Sequence, residues 1–534
     1  MPDSKKLLFS FLAIAALALF VFFWNLGKYP LEKWDEAIHA EVTHEMLKSG
    51  NWLELTWDDQ PYYRKPPLRF WLQGMASGIF GENEFTIRFW SATAGVLTTL
   101  LIAWWAWQAF KKIPIVWLSA GIFLTGRFIF YHAFRTGETD GLLVFLLLLS
   151  LWLYWQSWTK PKLLYWTSSA LTLAVLTKFS AAVFAGLAIF LHLLFTKKFK
   201  NYSKKQWLIA LGIGIGIFGA WFISQIILRG GNFINEYISE DIWTRATTNL
   251  YINDSGVTTY LGNFMSRFFP WACFSLPAII WISWKTWKEK NQLYFLWLIF
   301  LVETAVILSL NASKTNWYLL PLYPFLALII GAWIYNLKKF PIKLFDFILL
   351  GGGLLIFLRQ LPLILNKIDK QGSIKDLIVN SYLFKNNAQL SRLLLAFIFA
   401  LIFIIFYWLV RKYQLKKLWL SLLSLVFVGI LGAAIIGQIY GFKEKTGDPV
   451  LPQMRDYLQK NPTPKLFLYR IYVGHEPTIR YYLGNLENTK FEYLKSPNLL
   501  QPGEVALEIK KDKKNQVIGQ TILESLDYHL VKIP

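Results

Sequence analysis

Cysteine is nearly missing from this chain: Cys273 is one residue in 534. A disulfide within the chain is excluded, and a cysteine-based metal site is disfavoured. Acid is scarce too, with 33 Asp and Glu against 55 Lys and Arg. The formal charge of +22 would suggest a nucleic-acid partner in a soluble protein. Here the basic residues sit mostly in short loops between apolar runs, where positive charge sets membrane topology. No nucleic-acid motif accompanies them, so nucleic acid is not an expected partner. A P-loop, a dinucleotide fingerprint, HExxH and GxSxG in a fitting context are all absent, which leaves nucleotide-driven chemistry unsupported. Repeats and low-complexity tracts are absent as well.

What the chain has is apolar length. It is 55% hydrophobic and 18% aromatic, above the roughly 45–50% apolar content of soluble domains. The excess comes in runs of about 20 residues with few charges, enough to cross a bilayer as a helix. Spans are expected near 7–26, 86–110, 114–132, 140–158, 163–178, 180–196, 206–228, 267–284, 292–310, 316–336, 342–360, 392–410 and 417–440. That is a polytopic all-α membrane protein with about thirteen tilted helices. Lys5 and Lys6 precede the first run. No small-residue cleavage pattern follows it, so it reads as a retained signal-anchor helix.

The loops alternate in character. Lys111–Lys112, Lys160 with Lys162, Lys197 to Lys205, Lys285 to Lys290, Lys338 to Lys343 and Arg411 to Lys417 mark one set as basic. By the positive-inside rule these are cytoplasmic, together with the N-terminus. The other set holds the loops 27–85, 133–139, 229–266 and 311–316, the 361–391 segment and the C-terminal tail. Every polar cluster of chemical interest lies there, so a site on the non-cytoplasmic face is expected. Residues 442–534 change to a soluble composition, with β-like runs at 465–473 and 504–509 and a helix-like 451–459. They read as a small α/β domain after a membrane domain of residues 1–441.

The segment Trp34 to Trp71 is polar, charged and aromatic amid apolar sequence. Its adjacent acids Asp35 and Glu36 suit a general base or metal ligands, and equally a helix N-terminus. Ile38, Val42 and Met46 recur every four residues, as in an amphipathic helix lying flat on a membrane. Asp35 and His39 share a helix face; with Glu138 they are the weak candidates for a metal. Arg64 and Lys65, before two prolines, suit phosphate as fork and point charge, or interfacial snorkelling. Arg135, Glu138 and Asp140 gather at the mouth of a span, where ionisable groups are expensive and functional by default. Lys314 and Tyr318 sit four apart at a helix start, and Lys178 is a lone cation that either attracts an anionic headgroup or snorkels.

Taken as a set, these residues resemble the polyprenyl-phosphate-dependent GT-C glycosyltransferases, which include the protein O-mannosyltransferases and the lipid A aminoarabinose transferases. The likeness rests on Asp35-Glu36-Ala37 with Ala40-Glu41, on Gly50-Asn51-Trp52, Tyr62, Lys65-Pro66-Pro67 and Trp71. It continues through Phe80-Gly81, Glu84, Arg88, Asp140, Thr177-Lys178 and Ser313-Lys314 with Trp317 to Pro321. The resemblance implies a GT-C fold and an integral inner-membrane inverting glycosyltransferase. The implied donor is a polyprenyl-phosphate sugar, and the acceptor a lipid A, glycolipid, polysaccharide or protein. It implies Asp35 as base, Glu36 and Asp140 as further catalytic acids, and Lys65 on the lipid phosphate, helped by Arg64, Lys314, Tyr318 and Arg135. No cofactor is required, and a divalent metal is an open option. The aminoarabinose enzymes carry Arg-Tyr two residues after the Asp-Glu pair, where this chain has Ile38-His39. A lipid-linked saccharide transporter or flippase is the competing class, and Glu303, an acid inside a span, is its main support.

Overall fold

The computed structural model describes residues 3–126, 133–237, 247, 260, 261, 264, 267, 268, 271–311, 315–336, 448, 450–469, 476–484, 486, 489–494, 500–509, 519–525 and 528–534. The expected spans at 342–360, 392–410 and 417–440, most of the 229–266 loop, the 361–391 segment and Lys314 lie outside these residues. Within them the chain is mostly helical. Seven helices are long and apolar enough to cross a membrane, and two shorter apolar helices accompany them.

The helices run α1 (Asp3–Phe23), α2 (Asp35–Ser49), α3 (Leu68–Phe80), α4 (Glu84–Phe110), α5 (Ile113–Leu124), α6 (Asp140–Ser157), α7 (Leu163–Thr177), α8 (Phe179–Thr196) and α9 (Lys204–Phe233). They continue as α10 (Ala272–Glu289), α11 (Gln292–Leu310) and α12 (Tyr323–Asn336), the last entered through a 3₁₀ turn at Asn316–Leu322. Nine expected spans thus fall on α1 and α4 to α11, and a tenth on the 3₁₀ turn with α12. Helix α9 bends at Gly230, whose φ of 57° no L side chain adopts cheaply.

Charge decides where several helices stop. Helices α4, α8 and α10 each end at a lysine in the left-handed conformation, Lys111, Lys197 and Lys290. A cation there meets the negative end of the helix dipole, and the twist closes the last carbonyls. The start of α4 is set by Asn83, whose side chain accepts from the Thr86 N–H at 3.0 Å. The bundle core is aromatic: Trp105 packs edge-to-face on Trp297 with centroids 5.5 Å apart. Gly331 of α12 lets that helix lie against the Ser119 backbone of α5, where a Cβ would sit 2.9 Å from the Ser119 nitrogen. Small residues permit such close approach between membrane helices.

The 27–85 stretch is more structured than a loop. Besides α2 and α3 it holds a two-stranded hairpin, β1 (Thr56–Trp57) with β2 (Gln60–Pro61). Asp58 and Asp59 turn it with φ of 58° and 56°, the paired positive values of a tight hairpin turn. Helix α2 does not lie flat as an amphipathic surface helix. Residues 36–43 are all buried, because α3 and the 476–484 segment enclose the helix.

From 448 onward the chain forms helix α13 (Val450–Lys460) and a five-stranded mixed sheet of order β4-β3-β5-β7-β6. The strands are β3 (Lys465–Tyr469), β4 (Lys490–Leu494), β5 (Val505–Ile509), β6 (Gln520–Glu524) and β7 (Tyr528–Lys532). Strand β3 runs parallel to both neighbours, and β7 is antiparallel to β5 and β6. The apolar core beneath this sheet also takes in Leu31, Ala40 and Ile87. The C-terminal unit therefore shares its core with α2 and α4.

Candidate active site

Helix polarity puts the site residues at one end of the bundle. The start of α4, the start of α6 and the α7–α8 break lie opposite the lysine-capped ends. Between them the 133–139 loop folds inward, with residues 133–140 all buried.

At its centre is an ion pair with no solvent access, Glu36 with Arg88. The Arg88 Nε and Nη2 donate to the two Glu36 carboxylate oxygens at 2.7 and 2.9 Å, a bidentate fork. The main-chain N–H groups of Glu32 and Gly137 donate to the same carboxylate, each at 2.5 Å. Burial alone would raise the Glu36 carboxyl, but Arg88 and these N–H groups hold it below its ordinary value. Arg88 is equally occupied, since its other N–H groups bind the carbonyls of Leu26, Tyr29 and Pro30. Glu36 is thus the clasp of the 26–36 segment rather than an acid open to substrate.

Gly137 is required by this clasp. A Cβ there would lie 2.7 Å from Ile87 Cγ2 and 2.9 Å from Glu36 Cγ. Its carbonyl meanwhile accepts from His39 Nδ1 at 2.9 Å. Gly137→Ala is expected to destabilise the protein by about 1–3 kcal/mol, the usual range for overpacking a buried site. A melting series in detergent checks this.

Next to the clasp lies a cluster of acids. Glu138 is buried, and its carboxyl is raised well above the ordinary value by that burial and by Asp35, Asp140, Glu32 and Glu36. His39 is pushed down to about 4, chiefly by burial and against the pull of Asp35. At neutral pH His39 is therefore a neutral imidazole, and burial with the neighbouring acids favours the protonated form of Glu138. The His39 proton sits on Nδ1, and Nε2 is left as an acceptor. Asp140, at the first residue of α6, pairs with Lys178 at 2.9 Å. The same ammonium stands 5.3 Å from the centre of the Tyr318 ring. Lys178 does not snorkel: it breaks the chain between α7 and α8 in extended backbone and points at Asp140. The field of Asp35 reaches His39, Glu138 and Lys178, and that of Lys65 reaches His39.

The structure therefore brings Asp35, His39, Lys65, Glu138, Asp140, Lys178 and Tyr318 into one electrostatic neighbourhood. Lys65 is half-buried and Arg64 exposed. Arg135 is placed elsewhere than on a phosphate. It donates to the carbonyls of Val21 and Trp24, both at 2.6 Å, and so caps the end of α1. Among the described residues no group of three or more His, Cys, Asp or Glu is arranged to hold a metal ion. Glu303 lies inside α11, where Thr304 donates to it at 2.9 Å.

Arg69 is one of the charges of the polar Trp34–Trp71 segment, with no site role assigned from sequence. It is buried on α3, donates to Ser91 Oγ at 2.9 Å and to the Ile87 carbonyl at 2.6 Å, and is pushed down to about 10 by its burial. Its position just past Lys65-Pro66-Pro67-Leu68, in an apolar stretch, was the available signal.

The helical fold is one shared with solved structures. The backbone superposes on that of the ArnT from Cupriavidus metallidurans, bound to undecaprenyl phosphate, with a TM-score of 0.67 over 97% of both chains at 17% identity. Residues 64–223 match the family described as dolichyl-phosphate-mannose-protein mannosyltransferase. An uncharacterized protein of Aquifex aeolicus is 27% identical over 62% of this chain and 65% of its own length. An undecaprenyl phosphate-alpha-4-amino-4-deoxy-L-arabinose arabinosyl transferase of Pectobacterium atrosepticum is 25% identical over 61% of this chain and 60% of its own. The matched region thus spans less than two thirds of either curated relative. Over the matched residues and in its backbone the chain is similar to these polyprenyl-phosphate-linked proteins.

Proposed function

We propose that this protein is an integral-membrane inverting glycosyltransferase. It moves a sugar from a polyprenyl phosphate to a lipid, glycan or protein acceptor on the extracytoplasmic face of the inner membrane. The single observation that carries the reading is the shared neighbourhood of Asp35, Glu138 and Asp140 with the cations Lys65 and Lys178, at the end of the bundle opposite the lysine-capped helices. Those lysines mark the cytoplasmic end by the positive-inside rule. On this reading residues 1–441 are the membrane catalytic domain, with about thirteen spans, and residues 442–534 a soluble domain outside the cell membrane.

Chemically, an acceptor hydroxyl or amine attacks the anomeric carbon and its proton passes to Asp35. The bond from that carbon to the phosphate oxygen breaks on the opposite face, and polyprenyl phosphate leaves as the dianion. Lys65, helped by Arg64, Lys314 and Tyr318 as the resemblance implies, neutralises the growing negative charge, an electrostatic contribution worth most in a water-poor site. Asp140, fixed by Lys178, orients the acceptor. Glu36 and Arg135 are spent on internal partners and hold the frame.

The test is release of polyprenyl phosphate by the purified protein from a panel of hexosyl and pentosyl polyprenyl phosphates, with a membrane extract supplying acceptors. Turnover establishes the class, and the preferred donor names the sugar. Donor binding without turnover, together with donor flipping in liposomes, would replace this reading with the transporter one.

Glu138→Gln supplies a second check. An amide imitates the protonated acid that burial and the neighbouring carboxylates favour. If that form dominates at pH 7, activity is expected to stay within about threefold of wild type. A loss comparable to that of a general base, about 100-fold or more, would make Glu138 an ionised participant instead.

A further inference from the structure

The C-terminal unit touches the chain next to Asp35 through the buried Tyr482 hydroxyl and through the Tyr528 ring, whose centre lies 5.9 Å from the Lys33 ammonium. Tyr482 is 1% exposed. Its oxygen accepts from the Leu31 N–H at 2.9 Å and donates to Glu84 Oε1, at the start of α4, at 2.8 Å. Its ring lies in the apolar cluster that contains Leu31, Ala40 and Ile87. Beside it Arg480 pairs with Asp58 of the β1–β2 turn, which ties the same short segment to the first loop.

Leu31 begins the stretch that delivers Asp35. Arg88 holds the carbonyls just before it, at Leu26, Tyr29 and Pro30, at 3.0, 2.7 and 2.8 Å. Glu36 takes the Glu32 N–H just after it. Between these anchors Trp34 adopts φ 80° and ψ −118°, a conformation that a residue with a Cβ keeps only when its surroundings over-determine it. Asp35 follows directly, as the first residue of α2. Leu31 is itself fully buried, so without the Tyr482 hydroxyl its N–H would be a donor sealed from water with no partner, a costly state that the backbone relieves by moving.

We propose that Tyr482 is a positioning residue for the reaction: the C-terminal unit, through this hydroxyl, clamps residues 29–36 and sets the placement of the Asp35 carboxylate. This rests on Asp35 being the base. The unit is then a working part of the site, and a chain cut before it lacks a correctly placed base even with every membrane helix in place.

The test compares full-length wild type, Tyr482→Phe and Tyr457→Phe, the last being a tyrosine of the same unit outside the clamp. Amide hydrogen exchange over residues 29–36 is read first, because it needs no substrate. Exchange in Tyr482→Phe is expected to quicken about tenfold there and to stay at the wild-type level in α5 and α6. In the donor assay kcat is expected to fall about 10- to 100-fold, the cost of a misplaced group, with KM for the donor unchanged and the acidic limb of the pH profile displaced. Tyr457→Phe is expected to match wild type in both measurements. Unchanged exchange in Tyr482→Phe overturns the clamp. Faster exchange with unchanged kcat overturns its role in positioning Asp35. If Tyr482→Phe does not fold, Glu84→Gln weakens the same hydroxyl from its other side and is read by the same two measurements. Should the wild type turn over no donor, the glycosyl-transfer reading fails, and the positioning role fails with it. The exchange data then still report whether the clamp itself exists.

Discussion

Asp35→Asn is expected to lose about 100- to 10,000-fold in turnover, the range a positioned general base contributes, with donor affinity little changed. Asparagine keeps the shape and the hydrogen-bonding reach of the side chain but cannot take the acceptor's proton. The loss should therefore appear in kcat. Two neighbours sharpen the expectation. Neutral His39 offers only an acceptor nitrogen, and its affinity for a proton is pushed down to about 4, mainly by burial. Glu138 is held toward its protonated form by burial and the surrounding acids. A base role for either in Asp35→Asn would appear as residual activity with a displaced pH profile. Full activity in Asp35→Asn would return Asp35 to the role of a helix-starting acid and move the base to Asp140. The measurement is steady-state release of polyprenyl phosphate, with the melting temperature of each variant confirming that it is folded.

The largest effect on stability is expected at Arg88. Arg88→Ala leaves the Glu36 carboxylate buried with no counter-charge and frees three carbonyls that now share one guanidinium. Removing one partner of a buried ion pair costs about 3–5 kcal/mol, enough to unfold a marginal protein. Arg88→Ala with Glu36→Gln should recover part of this loss, because the stranded charge is gone. The recovery is incomplete because the carbonyls of Leu26, Tyr29 and Pro30 still lose the Arg88 guanidinium. A double-mutant cycle read by thermal unfolding in detergent measures both quantities. A double variant no more stable than Arg88→Ala would mean that the carbonyls, not the carboxylate, are the main clients of Arg88.

The membrane part of the fold was largely legible, because a run of apolar residues about 20 long has few alternatives. Helices α4, α6, α8 and α11 fall close to where their runs predict. Helix α3 was legible only in part: Arg69, Gln73 and Ser77 recur every four residues along one buried face, a helical spacing, but the charges upstream give the whole 27–85 stretch the look of a loop. The β1–β2 hairpin had a readable signal in Asp58-Asp59, two residues that tolerate left-handed backbone, but the strands are two residues each. At the site the residue types were legible and their allegiances were not. Glu36 and Arg135 look as available in sequence as Asp35 and Lys65. Their partners, Arg88, the Gly137 N–H and the end of α1, are fixed only by packing. The meeting of Asp140 with Lys178 depends on α6 and α7 turning back on each other, which the sequence marks only as two adjacent spans.

The bond from Leu31 to Tyr482 joins positions 451 residues apart. Arg480 reaches Asp58 across 422. A ribosome adding about 5–20 residues per second takes roughly 20–90 seconds to pass from the first of these positions to its mate. During that time the early helices can insert and Arg88 can grip Glu36, yet the Leu31 amide waits for a partner not yet made. On the proposed role of Tyr482, the segment that carries Asp35 gains this anchor only after residue 482 has been made.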